Sequence, residues 1–142
     1  MRLGAALIAV PAFALALSSC ATTPAAQEEI ASEQASVETL PASELMALIA
    51  AGEVVLIDVR TPEEFAAGRL PGALNAPLQT FVPASIPIEA ERETILYCGS
   101  SRRSGIAAEQ LASYLGTRVR HLEGGIQAWD AAGGEVITSP ES

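Results

Sequence analysis

The sequence predicts an α/β fold, a largely parallel central sheet flanked by helices, and three observations carry that prediction. Two short apolar runs, "VVLIDV" at residues 54–59 and "TILYC" at 94–98, show little alternation, as strands covered on both faces do. Each is followed by a segment with helix-start chemistry or helical spacing, and "RVRHL" at 118–122 followed by "GGIQAWDAAGG" repeats the strand-then-helix order once more. Strands that alternate with helices over so few residues need helical crossovers, and a parallel sheet is what such crossovers build.

Taken in order, the chain opens with "MRLGAALIAVPAFALALSSC". One positive charge, an apolar run too short for a comfortable membrane span, and then small residues read as an export signal over residues 1–19. Leu17, Ser18, Ser19 and Cys20 resemble a bacterial lipobox, in which Cys20 is acylated and becomes the first residue of the mature protein. Residues 20–40 then form the lipidated cysteine and an acidic flexible tether, "ATTPAAQEEIASEQASVETL", with transient helix around 27–34 and a reach of at most about 70 Å. A multiply acylated N-terminus is a stable membrane anchor. Ala21 directly after the cysteine resembles the pattern sent to the outer membrane of a Gram-negative cell, facing the periplasm.

The folded domain is expected over residues 41–142. Pro41 opens a helix whose apolar face is Leu45, Met46, Leu48 and Ile49, and Gly52 stops it. After the first strand, "TPEEF" writes out a capping box, with Thr61 at the N-cap, Pro62 at the first helical position and Glu64 two places on; Gly68 ends that helix. "LPGALNAPL" turns at Pro71 and Gly72 and supplies a brief edge strand over 73–76. Residues 79–93, interrupted by Pro83 and Pro87, read as loop with a helical turn. "RSGIAAEQLASYLG" is a helix closed by Gly116, and in the last helix Trp129 packs in the core.

Composition narrows the partners. Asp and Glu number 17 against 8 basic residues, a net charge of −9, and every basic residue is arginine. That balance argues against nucleic acid, whose phosphates most of this surface repels. With Cys20 acylated, Cys98 is left as a lone thiol, so no internal disulfide forms; an unprotected thiol in an oxidising compartment points towards use. No cofactor and no metal are called for.

The chemistry concentrates in "LYCGSSRRSG". A strand end, a tight loop and a helix start aim backbone N–H groups and the positive end of a helix at one point, and Cys98 occupies it. Gly99, Ser100 and Ser101 let the backbone curl round the sulfur, and Arg102 and Arg103 add charge, so the thiolate is favoured. No histidine is required in this scheme; His121 has a structural or surface role. Asp58, at a strand's C-terminal end, is expected to fix the neighbouring loop, and Arg60 to pair with Glu64.

These residues resemble a single-domain rhodanese, a sulfurtransferase family. The resemblance runs from residue 41 to 134 through "LIDVRTPEEFAAGRLPGALNAPL", "YCGSSRRSG", the small-residue-rich helix and "LEGGIQAW". It implies a rhodanese-like three-layer domain, a Cys98 persulfide, a small anionic sulfur donor such as thiosulfate, and a thiol or cyanide acceptor. It also implies substrate binding by Gly99, Ser100, Ser101, Arg102, Arg103 and Ser104, and scaffold roles for Asp58, Arg60 and Glu64. Two positions depart from the family pattern: Gly99 stands where many members carry arginine, and Arg69 where many carry histidine, which puts the preference for thiosulfate in question.

Two other readings compete. The related cell-cycle phosphatases place five residues between cysteine and arginine, whereas only Gly99, Ser100, Ser101 and Arg102 separate Cys98 from Arg103, so phosphatase or arsenate reductase activity is the less favoured enzymatic alternative. A catalytically weak binding or regulatory module of the envelope is the non-enzymatic alternative; inactive members of this fold generally lose the cysteine, which this chain retains.

Overall fold

The computed structural model describes residues 34–139, so the segments expected to be an export signal, an acylated Cys20 and most of the tether lie outside the described residues. Five strands form one sheet: β1 Ser36–Leu40, β2 Val54–Asp58, β3 Leu74–Asn75, β4 Glu93–Tyr97 and β5 Arg118–Leu122. Their spatial order is β1-β5-β4-β2-β3, and every pairing is parallel. Helices α1 Ala42–Ala51, α2 Pro62–Ala67, α3 Arg102–Leu115 and α4 Gly125–Ala131 cover it, and two single 3-10 turns, Leu78–Thr80 and Pro83–Ser85, occupy the expected loop. Among the described residues no helix is long and apolar enough to cross a membrane.

The end of the tether is the correction. Residues 36–40, expected to be flexible, pair in register with β5 from Ser36 opposite Arg118 to Leu40 opposite Leu122. Only one edge of this strand is hydrogen-bonded, and most of its side chains face solvent. Its apolar content is correspondingly low, which is why composition alone reads as linker.

Alternation along the strands divides the core in two. Val55, Ile57 and Val59 point with Leu96, Cys98 and Val119 to the α3 face, where Ala107, Ala108, Leu111 and Ala112 close the layer. Leu56, Ile95, Tyr97 and Leu122 point the other way, against Leu45 of α1, Phe65 of α2 and Trp129 of α4. The apolar runs of β2 and β4 therefore lack a polar face because both faces are covered. Trp129 is buried as expected, and its indole N–H donates to the Glu135 carbonyl at 2.8 Å.

The capping box forms as the sequence predicts. Thr61 Oγ1 accepts from the Glu64 amide at 3.3 Å, and Glu64 Oε2 accepts from the Thr61 amide at 3.1 Å. This ties α2, only six residues long, to the C-terminal end of β2, beside the loop that follows β4.

Candidate active site

Cys98 ends β4 between the C-terminal ends of β2 and β5, the edge of an open parallel sheet where ligands bind. The residue is 1% exposed, so its sulfur lies at the floor of the loop. Burial disfavours the thiolate, yet the Ser104 hydroxyl and the amides of Ser104, Ser100 and Ser101 outweigh it, and the thiol's pKa falls below its ordinary value.

The loop is held open as a cradle by contacts distant in sequence. The amides of Ile126 and Gln127, in the first turn of α4, donate to the carbonyls of Cys98 at 2.8 Å and Gly99 at 3.4 Å. With those carbonyls turned outward, the following amides turn inward. Gly125, at φ +59°, allows this approach: a Cβ there would stand 2.3 Å from the Cys98 carbonyl oxygen. Ser101 adopts the left-handed conformation at φ 86°, uncommon for a residue with a side chain. Its hydroxyl accepts from the Gly124 amide at 2.6 Å and donates to the Leu122 carbonyl at 3.1 Å, which anchors the strained residue to the end of β5.

The arginines divide their work. Arg103 donates from Nη1 and Nη2 to the two carboxylate oxygens of Glu64 at 2.6 and 2.8 Å. The pair holds the Glu64 carboxyl down to about 2, with the Arg103 hydrogen bond as the largest cause. Held there, Arg103 lies over Gly99, close enough that a Cβ on Gly99 would be 3.4 Å from Nη2. Arg102 is exposed at the start of α3, and among the described residues it makes no ion pair.

The expected Arg60–Glu64 pair does not form. Arg60 instead meets Asp58, with Nη2 2.6 Å from Oδ2, and also donates to the Gly68 carbonyl at 2.5 Å. Both residues are buried, and each would be left as an uncompensated buried charge without the other. Asp58 also accepts from the Arg60 amide at 2.9 Å, so its loop-fixing role is as expected. Asn75 of β3 donates to the carbonyls of Asp58 and Arg60 at 3.0 and 2.9 Å, which braces this loop from the far side.

The rhodanese-like domain family matches residues 41–132. The chain belongs to that family. A sulfurtransferase of Allochromatium vinosum is 39% identical to this rhodanese-like protein over 89 residues, covering 63% of this chain and 82% of the relative. Human thiosulfate:glutathione sulfurtransferase is 34% identical over 110 residues, 67% of this chain and 95% of that one. A thiosulfate sulfurtransferase structure from Pseudomonas aeruginosa superposes with a TM-score of 0.66 at 26% identity, over 72% of this chain but only 20% of the other. The chain spans less than two thirds of other curated relatives, including 45% of an uncharacterized Synechocystis protein that is 44% identical over 80 residues.

Of the residues that the sequence of this rhodanese-like domain singles out, Ser100, Ser101 and Ser104 act on the Cys98 sulfur, Arg103, held over Gly99 by Glu64, acts on it by charge, and Arg102 stays exposed at the start of α3. Sequence reasoning missed the backing by α4, the anchoring of Ser101 to β5 and the contact of His121 with Ser104. "LEGGIQAW" held a signal for the first, because consecutive glycines before a helix mark a close backbone approach.

Proposed function

We propose that this protein is a sulfurtransferase that carries a sulfane sulfur as a Cys98 persulfide. The observation that supports this best is the buried thiol at the focus of the Ser100, Ser101 and Ser104 amides and the Ser104 hydroxyl. In the first half-reaction the Cys98 thiolate attacks the outer sulfur of thiosulfate or a persulfide donor. The donor's S–S bond breaks, and sulfite or the donor thiolate leaves with the electron pair. In the second, a nucleophilic acceptor, cyanide or a thiol, takes that sulfur and returns the Cys98 thiolate. The amides and the hydroxyl stabilise the negative charge on sulfur in both steps.

Arg102, exposed at the start of α3 and without an ion pair among the described residues, is a guanidinium available to meet the oxygens of an anionic donor, while Arg103 with Glu64 shapes the loop. The loop of four residues between Cys98 and Arg103 suits a sulfur atom better than a phosphate. Cys98 is the free cysteine of the described residues, so a second molecule has to collect its sulfur. The name of the human relative, thiosulfate:glutathione sulfurtransferase, favours a small soluble thiol as that acceptor. From the sequence pattern of residues 1–20 we also propose an export signal and an acylated Cys20, which would make this a lipid-anchored protein of the cell envelope, facing the periplasm in a Gram-negative cell.

Intact mass after incubation with thiosulfate tests the central step. A gain of one sulfur on the wild type, absent in Cys98→Ser together with sulfite release, is the expected result. No adduct with thiosulfate, glutathione persulfide or mercaptopyruvate would refute it and leave the binding-module reading. Phosphate release from an aryl phosphate at a rate comparable to sulfite production would favour the phosphatase reading instead.

A further inference from the structure

His121 is a buried titratable group that the transfer chemistry does not use. It sits on β5 with its ring on the α3 side of the sheet, 6% exposed, and its Nδ1 lies 3.0 Å from Ser104 Oγ. The same hydroxyl lies 3.0 Å from the Ser101 carbonyl oxygen and also bears on the Cys98 sulfur. A hydroxyl has one proton and three acceptors compete for it here. The tautomer of His121 decides whether its Nδ1 is one of them, and between the other two a thiolate is a stronger acceptor than a neutral carbonyl. With its proton on Nδ1, the ring donates to Oγ, and the serine proton is free to point at the sulfur. With its proton on Nε2, the bare Nδ1 takes the serine proton away from the sulfur.

The surroundings leave this choice to the site itself. The register neighbours of His121 are Thr39 on β1 and Leu96 on β4, and Gly105 on α3 lies against Cε1 and Nε2. The charged residues of the same strands, Glu38, Glu93, Arg118 and Arg120, pair with one another on the opposite face, and Glu109 of α3 is exposed. Burial lowers the pKa of the ring, which is therefore neutral near neutral pH. Among the described residues, Cys98, reached through Ser104, is the remaining titratable group that faces it.

We propose that Ser104 and His121 form a hydrogen-bond relay to Cys98, in which His121 is a positioning residue whose Nδ1–H keeps the serine donating to the thiolate and the persulfide. The relay transfers no proton overall; it turns one hydroxyl. Thiolate formation and the Nδ1–H tautomer favour each other, as linkage requires. The purpose given to the relay rests on the sulfurtransferase reading, but its geometry does not.

The test is the rate of iodoacetamide alkylation of Cys98 against pH, read by mass on the Cys98 peptide so that Cys20 is kept apart. On the acid side of the alkylation midpoint, His121→Phe and Ser104→Ala are expected to react about tenfold more slowly, the factor that loss of one hydrogen bond to a charged group brings. His121→Asn, which offers an amide N–H near the position of Nδ1, is expected to restore most of the rate. A His121→Phe profile superimposable on the wild type overturns the relay, as does a His121→Asn profile equal to that of His121→Phe. The wild type gives a second reading free of any folding defect: nitrogen chemical shifts of His121 should report an Nδ1–H ring above the Cys98 midpoint, and an Nε2–H ring there refutes the proposal. Normal alkylation behaviour without a sulfur adduct from any donor would overturn the sulfurtransferase reading alone.

Discussion

Gly125→Ala isolates what the α4 backing does for the cysteine loop. At φ +59° a Cβ costs about 1 kcal/mol in backbone conformation. It would also stand 2.3 Å from the Cys98 carbonyl oxygen and 2.6 Å from the carbonyl carbon and oxygen of Gly99. Carbon atoms in van der Waals contact keep roughly 3.5 Å apart, so the overlap is about 1 Å, and backbone cannot rotate out of the way. Relief requires α4 and the loop to separate, which breaks the 2.8 Å bond from Ile126 to Cys98 and the 3.4 Å bond from Gln127 to Gly99, at about 1 kcal/mol each. The expected destabilisation is roughly 3 kcal/mol, in the upper range for a single substitution. Once the carbonyls are released, the amides no longer converge on the sulfur, and alkylation of Cys98 should slow near neutral pH. Gly116→Ala is the matched control: its φ is +69° and nothing lies within 4 Å of the added Cβ, so it isolates the conformational cost of about 1 kcal/mol. Urea unfolding of both variants beside Cys98 alkylation decides the matter. Equal stability of the two, with unchanged alkylation in Gly125→Ala, would refute the backing role.

Arg102→Ala should raise KM for thiosulfate by about tenfold while leaving urea stability within 0.5 kcal/mol or so of wild type, since it removes an exposed guanidinium that makes no ion pair among the described residues; an unchanged KM would take anion recognition away from this residue. Arg103→Ala should instead lower kcat and stability together, by about 1 kcal/mol for the latter, because it strands Glu64 and frees the loop. The Glu64 carboxyl titrates at about 2 in the folded protein against an ordinary 4.5, so its contribution is complete above about pH 4.5 and is lost as pH falls towards 2. With both partners about a third exposed, solvent screening reduces that contribution to about 1 kcal/mol. Glu64→Gln should therefore flatten the stability profile between pH 4.5 and 2, and a profile as steep as the wild type's would show that the pair does not stabilise the fold.

Much of the site was legible because its parts are consecutive. Cys98 to Ser104 lie within one strand–loop–helix turn, so the residues that curl round the sulfur are chain neighbours and their chemistry can be read in order. The α2 capping box spans four adjacent residues and forms as written. Arg60 went to Asp58 rather than Glu64 because burial decides between the two carboxylates: Asp58 is fully buried and Glu64 is not. That difference is not visible from the spacing of charges. Strand position alone reads as a structural or surface role for His121, because it does not tell which helix residue the ring will face.

Periodicity, caps and breakers by themselves determined the four helices, the strands from 54 to 122 and the loop that carries Cys98, since each depends on interactions within a few residues. The tertiary structure alone decided the use of residues 36–40, a weakly apolar segment that becomes a strand because β5 offers it an unpaired edge. It alone decided that Glu64 meets Arg103, 39 positions away, that Ser101 is anchored to β5 and that α4 backs the cysteine loop. Those contacts turn amides and charges towards one sulfur. They arise only when a parallel sheet brings the C-terminal ends of β2, β4 and β5 to one edge, which is a property of the assembled fold and of no single stretch of chain.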